Sequence, residues 1–293
     1  MTSYIAIDWG STHLRAWYYR QGECIDQRRS EAGVTRLAGR SPAEVFASVT
    51  EGWPVDQLPV VMAGMVGSNA GWQAVPYLPC PVSLTQLATR LNRVAGKAWI
   101  VPGLCLERRD NHNIMRGEET QLLGAVNLAA ATTYVLPGTH AKWVQADGDT
   151  VHDFRSVMTG ELHHLLLQHS LLGAGLPPQQ PDNAAFRDGL ETGCNDRSIL
   201  SRLFEVRAAH VLGSRPAEST SEFLSGLLIG HEVAQMQQQF ALNRRQPLTL
   251  IADGSLAERY QQAMTFAGIP AQRLGGDDAF QHGIRSIADE LAD

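Results

Sequence analysis

Cysteines, long hydrophobic runs and basic clusters are all scarce in this 293-residue sequence. The four cysteines lie far apart without Cys-x-x-Cys spacing, which predicts reduced thiols in a cytoplasmic protein. No apolar run reaches about 18 residues and no basic leader precedes the first strand-like stretch, so we expect neither membrane insertion nor secretion. The formal net charge is −6 and no Lys/Arg cluster offsets it, so a nucleic-acid partner is not expected.

What is present is an ordinary globular composition, with 44% hydrophobic and 18% charged residues. The chain is long for a single core, so we predict two domains, 1–127 and 128–293. A helical pattern from Met115 to Ala131 is predicted to cross between the domains. A return of the last helix to the first domain is left open.

The most informative stretch is 4–19, in which an apolar strand ends in Asp8, turns through Gly-Ser-Thr and re-enters a second strand. Such a hairpin tip offers N–H and hydroxyl groups of Gly10, Ser11 and Thr12 to phosphate oxygens, while Asp8 suits Mg²⁺. The alternative is an ordinary turn in which Asp8 bonds its own loop.

A second hairpin of the same kind spans 134–149, where a strand turns through Gly138, Thr139 and His140 into another strand. Two such hairpins indicate a duplicated half-molecule. We predict that Gly138 and Thr139 contact the β- and γ-phosphates, with His140 in the same nucleotide-binding set. Lys142 is interpreted either as a phosphate-binding cation or as a solvated strand lysine.

A third element, 248–256, reads as a strand and a small-residue turn, and an amphipathic helix follows it and stops at Gly268. Gly254 and Ser255 leave room for a flat base, so we predict that they contact adenine. Two hairpins and this turn together would form a clamp for a nucleotide.

These three elements resemble the phosphate-1, phosphate-2 and adenosine motifs of the superfamily that contains actin, sugar kinases and heat-shock chaperones. Several segments narrow the resemblance to the 2-dehydro-3-deoxygalactonokinase family: 62–68, 71–72 with 76–81, 101–103, 115–121, 136–140, 158–161 and 224–230.

The resemblance implies an α/β protein with the two-domain actin-like ATPase (ribonuclease H-like) fold and an interdomain cleft. It implies ATP and Mg²⁺ as cofactors and a small-molecule sugar acid as substrate. The implied reaction is phosphorylation of 2-dehydro-3-deoxy-D-galactonate on its C6 hydroxyl, in galactonate catabolism.

The resemblance to sugar kinases implies that the general base is a carboxylate at the start of the interdomain helix. Glu118 and Glu119 occupy this position, and a helix N-terminus stabilises an ionised carboxylate. Glutamates are also common in first turns for electrostatic reasons alone. Glu118 is slightly preferred, and Asp8 is the competing candidate.

A sugar acid brings a carboxylate that suits an arginine, and either Arg15 or Arg116 could bind it instead of making an ordinary ion pair. The glycine-rich turn after an apolar strand can bring its N–H groups close to a ligand. Tyr77 is expected either to line the pocket or to pack in the core. The predicted substrate-binding residues are Arg15, Gly64, Met65, Gly67, Ser68, Tyr77 and Arg116.

Two other functions are alternatives to this kinase. One is a kinase of the same fold for another sugar or sugar acid, and the other is a sugar-responsive nucleotide-binding regulator without enzyme activity. The regulator is disfavoured because only three residues precede the first strand, too few for a DNA-binding helix-turn-helix. A homodimer is a weak expectation.

Overall fold

The protein is described by a computed structural model that covers residues 2–195, 198–242 and 245–291. Two compact units divide it: unit 1 takes the described residues of Met1–Ala130, Ala146–Phe154 and Leu274–Asp293, and unit 2 those of Ala131–Gln145 and Arg155–Arg273. The division predicted between residues 127 and 128 therefore differs at 128–130, at 146–154 and at the end of the chain from 274 onward. Unit 1 includes Ala146–Phe154 because Thr150 and Val151 pair with a strand of that unit, and it also includes the last helix.

The strands are β1 (Tyr4–Trp9), β2 (Leu14–Arg20), β3 (Glu23–Ser30), β4 (Val60–Ala63), β5 (Leu78–Pro79), β6 (Val82–Ser83), β7 (Asn92–Ala95), β8 (Ala98–Ile100), β9 (Leu104–Arg108), β10 (Asn111–Met115), β11 (Thr133–Leu136), β12 (Ala141–Asp147), β13 (Thr150–Val157), β14 (Leu248–Ile251) and β15 (Ala271–Leu274). The α-helices are α1 (Pro42–Val49), α2 (Gln86–Thr89), α3 (Glu118–Leu128), α4 (Thr159–His169), α5 (Asn183–Asn195), α6 (Ile199–Val211), α7 (Thr220–Gln239), α8 (Gly254–Phe266) and α9 (Gly276–Glu290).

Unit 1 is built on a six-stranded sheet of order β3-β2-β1-β4-β8-β7. The β1–β2 hairpin is antiparallel and places Asp8 opposite Arg15, which confirms the predicted first hairpin. β4 runs parallel to β1 on its other side, so β1 and β4 end at the same edge of the sheet. The buried core beside this sheet includes Ile5, Ile7, Trp9, Leu14, Val60, Met62 and Ile100.

Helices α3 and α9 of unit 1 approach each other through glycines. A Cβ atom at Gly124 would lie 1.9 Å from the carbonyl oxygen of Ala279, and one at Gly283 would lie 1.9 Å from that of Thr120. Side chains at these two positions would keep the helix backbones apart. The small residues therefore fix how closely α3 packs against α9.

Unit 2 contains the neighbouring strands β14 and β11 and residues 141–145 of β12. β11 and β12 form an antiparallel hairpin with its tip at 137–140, which confirms the second predicted hairpin. Behind the sheet, α5 and α7 pack at backbone distance. A Cβ atom at Gly226 of α7 would lie 2.0 Å from the carbonyl oxygen of Phe186.

A buried carboxyl group ties four elements of unit 2 together. Glu232 on α7 is 1% exposed and accepts hydrogen bonds from Trp143 Nε1 at 2.7 Å, from Tyr260 Oη at 2.7 Å and from Thr159 Oγ1. Burial raises the pKa of Glu232, and its three donors oppose that rise. The network links β12, α4, α7 and α8.

Within the described ranges, none of the helices combines the length and the hydrophobicity that a membrane span requires.

The contact between α5 and α7 gives a first prediction. Gly226→Ala should lower the free energy of unfolding by about 1–3 kcal/mol, because the added methyl group meets the Phe186 carbonyl and the helices must separate. Chemical denaturation measures this change. As a control, Gln235→Ala on the exposed side of α7 should change stability by less than about 0.5 kcal/mol. Equal stability of the two variants would contradict this account of the packing.

Candidate functional site

Asp8 lies at the end of β1 in an ion-pair network within unit 1. Arg15 Nη2 donates to Asp8 Oδ2 at 2.6 Å, and Arg15 Nη1 donates to Asp277 in the first turn of α9. About a quarter of each of the Asp8 and Arg15 side chains is exposed. Incomplete solvation raises the pKa of Asp8, and the Arg15 guanidinium opposes this rise. Arg15 thus already bridges two carboxylates.

The first hairpin tip is held tightly by its neighbours. The N–H of Gly10 donates to the carbonyl of His13 at 2.9 Å, and the carbonyl of Ser11 accepts from the N–H of Thr35 at 3.0 Å. A Cβ atom at Gly33 would lie 2.3 Å from that same Ser11 oxygen. A cavity of about 530 Å³ opens beside the tip, and its lining includes Asp8, Gly10, Thr12, Arg15, Arg29 and Glu31.

Three backbone segments of unit 1 converge at two glycines. Gly64 follows β4 with φ +95°, and a Cβ atom on it would lie 2.8 Å from the carbonyl oxygen of Trp9 at the end of β1. Gly117 precedes α3 with φ +109°, and its Cβ atom would lie 3.2 Å from Gly64 Cα. Both positions favour glycine. The convergence brings the Asp8 strand, the Gly64–Ser68 turn and the start of α3 together.

The Gly64–Ser68 turn is internally bonded. Met65–Gly67 forms one turn of 3₁₀-helix, in which the N–H of Gly67 donates to Gly64 and the N–H of Ser68 donates to Met65. The Ser68 hydroxyl also donates to the Met65 carbonyl, at 2.8 Å. Two of the N–H groups considered for a ligand are therefore used within the turn.

The two candidate bases at the start of α3 have different environments. Glu119 is completely buried, and its two oxygens accept from the N–H of Gly117 at 2.6 Å and from Thr120 Oγ1 at 3.1 Å. Glu118 is half-buried and accepts the N–H of Arg116 at 3.0 Å. Burial, reinforced by the neighbouring Glu118 charge, raises the pKa of Glu119 to about 8.

Arg116 is a buried cation, 8% exposed. Its Nη2 donates to the carbonyl of Val75 at 2.6 Å, and its guanidinium carbon lies 4.2 Å from the centre of the Tyr77 ring. Nη1 lies so close to Gly67 that a Cβ atom there would be 2.7 Å away. Nε and Nη1 have no hydrogen-bond partner among the residues that the structure describes.

The second hairpin tip, in unit 2, packs on the N-terminus of α4. The N–H of Glu161 donates to the carbonyl of Thr139 at 2.9 Å, and the Glu161 carboxylate pairs with Nε2 of His140. Lys142 is 5% exposed and donates to the carbonyl of His140 at 3.0 Å. The interpretation of Lys142 as a solvated strand lysine is therefore wrong.

Near this tip, unit 2 contains a small cavity of about 100 Å³. Its lining includes Gly138, Thr159, Gly160, Leu256 and Tyr260. Gly254 and Ser255, the predicted adenine contacts, lie exposed at the start of α8 next to Leu256, and Gly254 has φ +57°. Their contact with adenine stays a prediction.

Three contact residues were missing from the sequence-based prediction. Asp277, which pairs with Arg15, is one of two adjacent acids that begin α9, and only the fold relates it to Asp8. Glu161 lies in the 158–161 segment that contributed to the family resemblance, although no role was assigned to it. Glu232 gave no signal in the sequence.

Comparison of the whole chain with solved structures defines its fold class. The activator of 2-hydroxyisocaproyl-CoA dehydratase from Clostridium difficile, solved with bound ADPNP, matches with a TM-score of 0.52 at 12% identity, over 99% of this chain and 96% of that one. The chain is an α/β protein of the actin-like ATPase and sugar-kinase fold class, which confirms the predicted fold class.

Closer relatives define the family. The 2-keto-3-deoxy-galactonokinase family model matches residues 8–287. The 2-dehydro-3-deoxygalactonokinase of Escherichia coli (strain K12) is 58% identical over 289 residues, 99% of this chain and 98% of its own. A crystal structure of a putative 2-dehydro-3-deoxygalactonokinase from Sinorhizobium meliloti superposes with a TM-score of 0.89 at 31% identity, over 98% and 96% of the two chains. The chain belongs to the 2-keto-3-deoxy-galactonokinase family.

The raised pKa of Glu119 predicts how stability depends on pH. The folded chain keeps this proton up to about pH 8, whereas an unfolded glutamic acid releases it near its ordinary pKa of 4.5. The stabilisation is therefore complete below the ordinary pKa and is lost as the pH rises to about 8. Glu119→Gln removes this titration, so between pH 5 and pH 9 the wild type should lose roughly 2–4 kcal/mol more unfolding free energy than the variant.

Denaturant unfolding at several pH values measures this difference. The exposed Glu51→Gln variant is the matched control and should follow the wild type. Parallel curves for the wild type and Glu119→Gln would show that Glu119 is ionised in the folded chain at neutral pH.

Proposed function

We propose that this chain transfers the γ-phosphoryl group of ATP to the C6 hydroxyl of 2-dehydro-3-deoxy-D-galactonate. The products are ADP and 2-dehydro-3-deoxy-6-phospho-D-galactonate, and the reaction belongs to galactonate catabolism. Membership of the family and the 58% identical relative with the corresponding name support the reaction. The cytoplasm is the proposed location, and the homodimer stays a prediction.

The buried guanidinium of Arg116, which forms no ion pair with the residues that the structure describes, carries the proposal of a sugar-acid substrate. Burying a guanidinium without an anion costs several kcal/mol, so such a group is normally found with a counter-ion. Nε and Nη1 have no partner among the described residues, and a carboxylate could accept from either of these donors. Arg15 is the weaker candidate because it already binds Asp8 and Asp277.

Tyr77 and the Gly64–Ser68 turn complete the proposed carboxylate site. The Arg116 guanidinium lies over the Tyr77 ring, 4.2 Å from its centre, in a cation–π contact. A Cβ atom at Gly67 would lie 2.7 Å from Nη1, so only a residue without a side chain fits beside the guanidinium here. Met65 and Ser68 are proposed as further contacts of the sugar acid.

Glu118 is the proposed general base. A base must reach the hydroxyl proton, and the half-buried Glu118 satisfies this requirement better than Glu119, whose oxygens are both bonded inside the protein. As the C6 oxygen bonds to phosphorus, its proton passes to Glu118 and the bond to the ADP oxygen breaks. Glu119 is proposed to fix the N-terminal turn of α3 through the N–H of Gly117.

The remaining roles concern ATP and Mg²⁺. Asp8 fits a magnesium ion, because it provides carboxylate oxygens that are partly exposed beside the first hairpin tip. When bound, Mg²⁺ would neutralise charge on the β- and γ-phosphates. The proposed nucleotide contacts are Gly10, Ser11 and Thr12, then Gly138, Thr139 and His140, and Gly254 and Ser255 for adenine.

A base at Glu118 predicts a specific loss of turnover. Glu118→Gln should lower kcat by roughly 10²–10⁴-fold with 2-dehydro-3-deoxy-D-galactonate, because the amide cannot accept the hydroxyl proton. A coupled ADP-release assay measures kcat, and a nucleotide-binding titration should give an unchanged Kd for ATP. Glu107→Gln, an exposed change in the same unit, should retain full activity. If the Glu118→Gln enzyme were fully active, Glu118 would not be the general base, and Asp8 or Glu119 would be the remaining candidates.

A carboxylate bound at Arg116 predicts a change in substrate affinity. Arg116→Lys keeps the charge but loses the planar pair of donors, so KM for the sugar acid should rise about 10–100-fold while KM for ATP stays the same. Arg36→Lys, at an exposed position, is the control. The assay uses a panel of aldonic and 2-keto-3-deoxy acids together with a neutral sugar. If Arg116→Lys affected the acids and the neutral sugar equally, the carboxylate assignment would be wrong.

A further inference from the structure

The second hairpin tip is anchored to α4 through backbone contacts. A Cβ atom at Gly160 would lie 2.5 Å from the carbonyl oxygen of Gly138 and 3.0 Å from Thr139 Cα. The next residue, Glu161, donates its N–H to the carbonyl of Thr139 at 2.9 Å. The first turn of α4 is therefore pressed against the residues proposed to bind phosphate.

The side chain of Glu161 reaches the last residue of the same tip. Its carboxylate oxygen Oε2 contacts His140 Nε2, so this ring nitrogen carries a proton and donates it to the carboxylate. Nδ1 of His140 has no hydrogen-bond partner among the described residues, and about half of the side chain is exposed. His140 thus presents a single ring nitrogen to a ligand at the tip.

Lys142 contacts the backbone of His140. Its ammonium group is buried and donates to the His140 carbonyl at 3.0 Å. The backbone of the tip is bonded to Lys142 and Glu161, and the imidazole is bonded to Glu161 as well. The ion pair between Arg202 and Glu205 on α6, by contrast, lies within one exposed helix.

Fixed hydrogen-bond donors such as this histidine favour phosphoryl transfer. Negative charge spreads over the three equatorial oxygens of the moving group, and fixed donors aimed at them lower the barrier. An imidazole between a carboxylate and a phosphoryl oxygen can donate to both when it is protonated. The carboxylate behind it then fixes the ring plane and stabilises the imidazolium, as it does for histidines at other catalytic sites.

We propose that Glu161 is a positioning residue that holds the His140 imidazole so that its Nδ1–H contacts the transferred phosphoryl group. This inference rests on the proposed kinase function. It assigns His140 to the γ-phosphoryl group in particular and gives Glu161 a role that acts through His140.

A double-mutant cycle tests the inference with the whole chain, ATP, Mg²⁺ and 2-dehydro-3-deoxy-D-galactonate. Glu161→Gln keeps the shape and can still accept the Nε2–H, but it removes the charge. We expect kcat to fall about 10–50-fold with an unchanged KM for the sugar acid. His140→Asn should lower kcat at least as far, and the double variant should be no slower than His140→Asn alone, because Glu161 then has nothing to position.

The exposed pair on α6 supplies the matched control. Glu205→Gln should leave kcat unchanged, and thermal unfolding should show that every variant is folded. Multiplicative losses in the double variant, or a fully active Glu161→Gln enzyme, would overturn the inference and leave the proposed kinase function standing. A wild-type chain that phosphorylates none of the sugar acids would overturn both.

Discussion

The close approach of Gly64 to Gly117 is the constraint on which the rest of the unit 1 site depends. The end of β1, the turn after β4 and the start of α3 meet there so closely that a Cβ atom would lie 2.8 Å from the Trp9 oxygen at Gly64 and 3.2 Å from Gly64 Cα at Gly117. Both glycines also have positive φ angles, so other residues would add backbone strain to the clash. Because of this contact, a carboxylate from a strand, a glycine-rich turn and the first glutamates of a helix share one neighbourhood.

Buried ionisable side chains in the two units differ in whether their hydrogen-bonding atoms have partners. Glu232 is surrounded by three donors that satisfy it, so its role is to join four elements of unit 2. Arg116 keeps two donors without partners among the described residues. Glu119 is satisfied, because both of its oxygens accept hydrogen bonds and burial raises its pKa to about 8. A satisfied buried charge indicates structure, whereas an unsatisfied one indicates a ligand.

Both hairpin tips are supported by a glycine at backbone distance. Gly33 presses against the Ser11 carbonyl in unit 1, and Gly160 presses against the Gly138 carbonyl in unit 2. Each contact holds a tip whose own residues are small or polar. Each position excludes a side chain, because a Cβ atom there would collide with a backbone carbonyl oxygen of the tip.

The sequence by itself determined the two hairpins and the fold class, because strand alternation, small-residue turns and family segments are local patterns that survive without knowledge of distant contacts. It also named Glu118, Glu119, Arg15 and Arg116, but it could not rank them. Tertiary structure decided that Arg15 pairs with Asp277, which is 262 residues away in the chain. It also decided that Lys142 and Glu119 are buried. Burial and ion pairing are set by long-range packing, whereas short sequence patterns report only on their immediate neighbours.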